Sequence, residues 1–171
     1  GMGNTNTRHI TLLRHGKAAK GIDGIDDFDR PLNRRGVNDS AHMAAIIAAR
    51  TAPVDLALIS TARRARITGE IVAGILELPS ESLRMEERLY MAEAEQILYR
   101  IRELPKEAKH VLLVGHNPSI EELASLLAGS SVGNVPTCGA VCFTAHAEIW
   151  SELGANSVQF EELLTPKEST G

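Results

Sequence analysis

The sequence predicts an α/β fold, a three-layer α/β/α sandwich around a mostly parallel central sheet. Three observations carry that expectation. The runs Ile10–Leu13, Val54–Ile59 and His110–Val114 are almost continuously apolar, as strands buried on both faces must be. Segments with helical spacing of apolar residues separate them. The 171 residues, 43% hydrophobic and 23% charged, suit one domain of ordinary globular composition and argue against disorder or a coiled coil.

Taken in order, Ile10–Leu13 reads as a buried strand that stops at Arg14-His15-Gly16. Lys17–Asp29, rich in glycine and aspartate, reads as a loop longer than a simple connection needs, a length more typical of functional loops. Pro31 ends it, and Asn33 can cap a helix whose apolar positions include Val37, Ala41, Ala44 and Ala48, with Pro53 beyond its end. Val54–Ile59 is the second strand. Ser60 or Thr61 then offers an N-cap for a helix reaching about Leu76, with Ala65, Ile67, Ile71 and Ile75 as its apolar positions. Arg84–Ala92 has no decisive pattern, and Glu93–Leu104 reads as a helix with Ile97, Leu98 and Ile101 on one side. His110–Val114 is the third strand, followed by Gly115-His116-Asn117-Pro118 and a helix from Ser119 to about Ala128. Gly129–Pro136 is loop, and Ala140–Thr144 and Ser157–Leu163 are two further strands. A single domain is expected over residues 8–165, with flexible termini at 1–7 and 166–171 and Gly1 as a remnant of tag removal.

Eighteen Lys and Arg against 22 Asp and Glu leave a net charge of −4, so no global attraction draws the chain to nucleic acid or an anionic membrane. No apolar stretch approaches the roughly 20 residues that span a bilayer, and the first residues have no apolar signal core. The expected location is the cytoplasm. Cys138 and Cys142 cannot staple a fold of this size and read as buried thiols.

Ligands of open α/β sheets bind beyond the carboxyl ends of the strands. Three predicted strands run there into chemically able residues: Arg14-His15-Gly16, then Ser60 with Arg63, Arg64 and Arg66, then Gly115-His116-Asn117. Two histidines and several arginines at one crevice suit a phosphate, because the guanidinium fork pairs with phosphoryl oxygens and stays charged. Helix N-termini after Thr61 and Pro118 add N–H donors, and a histidine there can attack phosphorus. The competing use of His15, His116 and Asp29 is a metal site, but crowded arginines repel a cation, and structural zinc prefers closely spaced Cys and His pairs. His9, His42, His110 and His146 read as structural or surface residues. No cofactor or metal is expected.

Arg14-His15-Gly16 closing the first strand resembles the signature of the histidine phosphatase, or phosphoglycerate mutase-like, superfamily. The likeness extends along the chain. Asp29–Gly36 is similar to the Arg-Pro-Leu-Thr-x-x-Gly loop of SixA-type phosphohistidine phosphatases. Ser60–Thr68 resembles their Ser-Pro-x-x-Arg-Ala-x-Gln-Thr segment, with Arg64 in register, although Thr61 and Ile67 depart from it. Leu89-Tyr90-Met91-Ala92 and Val114–Pro118 match two further elements. The resemblance implies a phosphoglycerate mutase-like fold and in-line attack by His15. Arg14, Arg64 and a protonated His116 would hold the phosphoryl oxygens. Gly16, Arg30 and Asn117 would contribute to phosphate binding. The short chain lacks the insertions that supply a proton donor in larger relatives; Glu87, then Glu86, is the nearest candidate by position. An alcohol is a poor leaving group without such a donor, whereas a phosphohistidine protonated on its other nitrogen leaves as neutral imidazole. The expected substrate is therefore phosphohistidine on a protein, such as a histidine phosphotransfer domain, with inorganic phosphate as product. Sugar or nucleotide phosphates are the alternative substrates, and an idle phosphate-binding module is the alternative role.

Overall fold

The computed structural model describes residues 7–168. What was expected of residues 1–6 and 169–171, including Gly1, lies outside the described residues. Six strands form one sheet in the order β3-β2-β4-β1-β5-β6. They are β1 (Thr7–Arg14), β2 (Leu56–Ser60), β3 (Leu83–Glu86), β4 (His110–Gly115), β5 (Ala140–His146) and β6 (Val158–Leu164). The first four run parallel; β5 is antiparallel to β1, and β6 to β5. Side chains of successive strand residues point to opposite faces, and both faces are covered. Ile10, Leu12, Leu58, Val111 and Leu113 pack under α3 (Ala94–Arg102) and α4 (Ser119–Ala128). Leu13, Ala57, Ile59, Leu112 and Val114 pack under α1 (Arg34–Arg50) and α2 (Arg63–Ile75). This double burial explains the unbroken apolar runs.

Several boundaries and faces differ from the expectation. The undecided Arg84–Ala92 segment supplies most of the edge strand β3, whose register beside β2 is set from Ala57↔Leu83 to Ser60↔Glu86. Thr7 pairs with His146, so residue 7 is strand rather than tail. Beyond Pro166 the chain is still tied down: the Glu168 carbonyl lies 2.9 Å from His42 Nε2. Cys138 lies in the turn before β5, in left-handed conformation with φ of 61°. Cys138 and Cys142 are both free and buried, as expected.

Asn33 caps α1 by accepting from the Gly36 amide at 2.8 Å. The buried face of α1 is Gly36, Ser40, Met43, Ala44, Ile46 and Ile47, while Val37 is 41% exposed. The expected phase began one residue late because it ignored Gly36 and Ser40. Gly36 is where the helix meets the chain after His15: a Cβ there would stand 2.3 Å from the Lys17 carbonyl. On α2 the buried face is Arg64, Ala65, Thr68, Gly69, Val72 and Ala73, and Ile75 is exposed. Small residues let this helix lie close on β2, and a Cβ at Gly69 would meet Ile59 at 2.7 Å. The packed face thus carries the polar residues of the site instead of the isoleucines. The residue before α2 is Ala62, whose amide reaches Ser60 Oγ at 3.3 Å.

Candidate active site

Strand register brings the site together. Arg14 lies opposite Gly115 at the carboxyl ends of β1 and β4, and Ile59 opposite Val114 puts Ser60 at the same edge. The His15 amide donates to the Gly115 carbonyl at 3.0 Å, so His15 and His116 emerge side by side with ring centroids 5.1 Å apart. On the other side the Cys138 amide donates to the Arg14 and His15 carbonyls at 3.1 and 3.0 Å. Gly16 donates to Thr68 Oγ1 at 2.9 Å, which in turn donates to the Arg64 carbonyl. Each residue of Arg14-His15-Gly16 is thereby pinned by a different element.

His15 is 8% exposed. Its Nδ1 lies 2.7 Å from the Gly16 carbonyl, which can only accept, so Nδ1 carries the proton. The lone pair then resides on Nε2, where Arg64 Nε–H approaches at a long 3.4 Å. Burial, helped by the charges of Arg64, Arg14 and Arg30, brings the pKa of His15 down to about 4 despite the Gly16 bond. At neutral pH it is an uncharged, oriented imidazole, and an Nε2 lone pair of this kind can attack phosphorus.

His116 Nε2 is hydrogen-bonded to Ser60 Oγ at 2.8 Å, and its Nδ1 is buried without a partner. Burial, then His15 and Arg64, push its pKa down to about 3. The protonated form expected from the sequence is therefore not the one these neighbours favour; charged groups around it already supply positive potential. Arg14 donates through Nη1 to the Val135 carbonyl at 3.1 Å, while its Nε is buried and unpaired. Buried polar atoms seldom stay unpaired, and both orphans suit phosphoryl oxygens.

Other expected contributors have different work. Arg30 gives Nε and Nη2 to the Ala19 carbonyl and Nη1 to Asp27, so it braces its own loop. Asn117 donates to the Val135 carbonyl at 3.0 Å and accepts from the Glu121 amide at 3.3 Å. Both ends of its amide are structural, and that helix-terminal amide is taken. Glu87 is exposed and does not line the cavity beside the histidines. Glu86 is bound to Arg100 at 2.6 Å. Neither is placed to protonate a leaving group. Among the described residues no group of three or more His, Cys, Asp or Glu has metal-holding geometry, and no helix is long and apolar enough to cross a membrane.

Two residues with no role in the sequence reading stand in the site. Asp27, in a single 3-10 turn (Asp27–Asp29) within the long loop, receives Arg64 Nη2 at 3.0 Å and Tyr90 Oη at 2.7 Å. Tyr90 packs edge-on to His116 with centroids 5.5 Å apart. The Leu89–Ala92 element signalled Tyr90 without its partner; nothing local distinguished Asp27 from the loop's other aspartates. Asp27, Arg64, Tyr90 and His116 border a cavity of about 960 Å³ that extends past Met91 to Leu126.

Two arginines, an oriented histidine and a second histidine stand together at one sheet edge. A model of the histidine phosphatase superfamily (branch 1) matches residues 10–90. An uncharacterised protein of Mycobacterium tuberculosis (strain CDC 1551 / Oshkosh) is 36% identical over 119 residues, 70% of this chain and 72% of that protein. The chain belongs to the histidine phosphatase superfamily. Among solved structures, an Agrobacterium tumefaciens protein assigned as a phosphohistidine phosphatase SixA superposes with a TM-score of 0.79 at 28% identity, covering 93% of this chain and 98% of that one. The protein histidine phosphatase SixA complexed with tungstate does so at 0.79 and 25% identity, covering 92% and 97%. The sandwich predicted from sequence is thus the histidine phosphatase fold, and membership places the chain among phosphatases.

Proposed function

We propose that this histidine phosphatase removes phosphate from phosphohistidine on proteins in the cytoplasm, through a phosphorylated His15. The supporting observation is the leaving-group side of the site. The carboxyl group nearest Arg64, that of Asp27, is brought to about 2 by the hydrogen bond from Tyr90 and by Arg64 and Arg30. It is an acceptor at working pH and cannot protonate an alkoxide. A phosphohistidine protonated on its far ring nitrogen needs no such donor, because it leaves as neutral imidazole. The cavity also suits a side chain presented on a protein surface: it is open, reaches the 84% exposed Met91, and carries Glu93, Glu95 and Glu122 against the single arginine Arg64. A sugar or nucleotide with a second phosphate finds no further lining arginine or lysine there.

In this mechanism His15 Nε2 attacks phosphorus in line. Arg14, Arg64 and His116 hold the equatorial oxygens, where charge develops. The arriving phosphoryl group adds the negative charge that favours protonation of His116. The test is phosphate release by wild type and His15→Ala from a phosphohistidine-bearing protein and from a panel of small phosphate esters. Turnover of the protein at least about tenfold faster than any ester, lost in the variant, is the expected result. Preference for one ester moves the substrate to small molecules. Silence on every substrate leaves a phosphate-binding module.

A further inference from the structure

Asp27 lies where the phosphate-binding residues meet the open cavity, and the mechanism above leaves it without a task. Its carboxylate is held from three directions: Arg30 Nη1 donates to Oδ1 at 3.1 Å, and Arg64 Nη2 and Tyr90 Oη donate to Oδ2 at 3.0 and 2.7 Å. Its carbonyl accepts from Arg64 Nη1 at 2.8 Å. Tyr90 is itself fixed between the rings of Phe28 and His116, at 5.1 and 5.5 Å. A carboxylate offers about four acceptor positions, so one on Oδ1 is left after these bonds. The side chain is 53% exposed and borders the cavity. An oriented acceptor with one position open thus stands beside Arg64 at the border of the open cavity.

We propose that Asp27 determines specificity by accepting a hydrogen bond from the far ring N–H of a phosphohistidine imidazolium, selecting leaving groups that bring their own proton. The proposal rests on the phosphohistidine reading. In the first step the Nε2 lone pair of His15 forms a bond to phosphorus. The substrate's P–N bond breaks, and its electron pair returns to the substrate nitrogen. The far N–H keeps its proton throughout, so the imidazolium becomes neutral imidazole and Asp27 takes no proton. His15 is now the phosphorylated imidazolium, with its Nδ1–H on the Gly16 carbonyl in the same relation that Asp27 has to the substrate ring. Water then bonds to phosphorus, and His15 departs as neutral imidazole together with dihydrogen phosphate, which ionises in solvent. An ester oxygen has no N–H for Asp27, and the carboxylate opposes the negative charge growing on it.

The test compares Asp27→Asn, Asp27→Glu and wild type on a phosphohistidine-bearing protein and on p-nitrophenyl phosphate, whose leaving group needs no proton. The ratio of kcat/KM for phosphohistidine to that for p-nitrophenyl phosphate falls at least about tenfold in Asp27→Asn, the effect of losing one charged hydrogen bond. Asp27→Glu, which keeps the charge, retains part of the ratio. In the pH profile on phosphohistidine, the limb set by loss of the imidazolium proton moves to lower pH in Asp27→Asn, because nothing then holds that proton. Equal losses on both substrates assign Asp27 only to bracing Arg64 and overturn the proposal, as does an unchanged ratio. A wild type that leaves phosphohistidine untouched overturns the functional reading instead.

Discussion

Two edges of the same sheet treat the same residue types in opposite ways. His110, at the start of β4, and His15, just after β1, are both buried, and burial brings both to a pKa of about 4. Each has Nδ1 at 2.7 Å from a backbone carbonyl, of Ala52 and Gly16 respectively, which fixes the same tautomer. Only the second nitrogen differs. His110 Nε2 accepts from Thr11 Oγ1 at 2.8 Å, whereas His15 Nε2 meets only Arg64 Nε at 3.4 Å. The arginines repeat the contrast. Arg8 is fully buried over Trp150, and Nε, Nη1 and Nη2 all donate to carbonyls, those of Ala147, Lys106, Ala108 and Glu148. Arg14, at the other end of the same strand, has one such bond and an unpaired Nε. At one edge the polar groups are satisfied and hold the fold; at the other they are held in place but left with capacity for a ligand.

Substitutions at matched positions break this comparison open. His15→Ala removes the proposed nucleophile and is expected to lower turnover about 10³-fold or more. His110→Gln keeps turnover near wild type and loses about 1–3 kcal/mol of stability in urea denaturation. A large activity loss in His110→Gln would erase the distinction. The next effect belongs to the arginines. Arg14→Met should cost about a hundredfold in kcat with little change in stability. Arg8→Met strands several carbonyls and should cost about 3 kcal/mol or more in stability, with the folded fraction turning over normally.

Acid treats the two edges alike, and that sharpens the point. His15, His110 and His116 have pKa values below the 6.5 of an unfolded histidine. Between about pH 6.5 and 4 the unfolded chain binds more protons than the folded one. The stability these buried neutral rings contribute is complete above about 6.5 and is lost as pH falls toward 4 for His15 and His110 and toward 3 for His116. Melting temperature should therefore drop across that window, and His110→Gln should flatten the drop. The smallest effect concerns Glu87. Its exposure outside the cavity predicts that Glu87→Gln keeps kcat within about twofold, against the 10²–10⁴-fold loss expected of a general acid.

Much of this was legible in the residue string. Arg14, His15, Arg64 and His116 each stand at the end of an apolar run or the start of a helix, so their convergence followed once the strands were taken as parallel. Asn33 also matched as a helix cap, because cap chemistry is local, whereas the Gly16 amide, expected at the phosphate, donates to Thr68 Oγ1. The helix faces were harder. Gly36, Ser40, Thr68 and Gly69 carry weak hydrophobic signals yet occupy buried faces, since close approach to Lys17 and Ile59 excludes a larger residue. Arg30 and Asn117 were read as phosphate ligands because the residue types suit that role, while their nearest acceptors are the carbonyls of Ala19 and Val135.

By itself the sequence determined the layered α/β architecture and the strand ends at which Arg14, His15, Arg64 and His116 gather, because apolar runs and terminal polar residues are written in order along the chain. Only the tertiary structure decided which nitrogen of His15 holds the lone pair, that His116 is neutral among its neighbours, and that Asp27 and Tyr90 belong to the site. Those properties depend on burial and on hydrogen bonds between residues as far apart as Asp27 and Tyr90, and no local pattern encodes a partner 63 positions away.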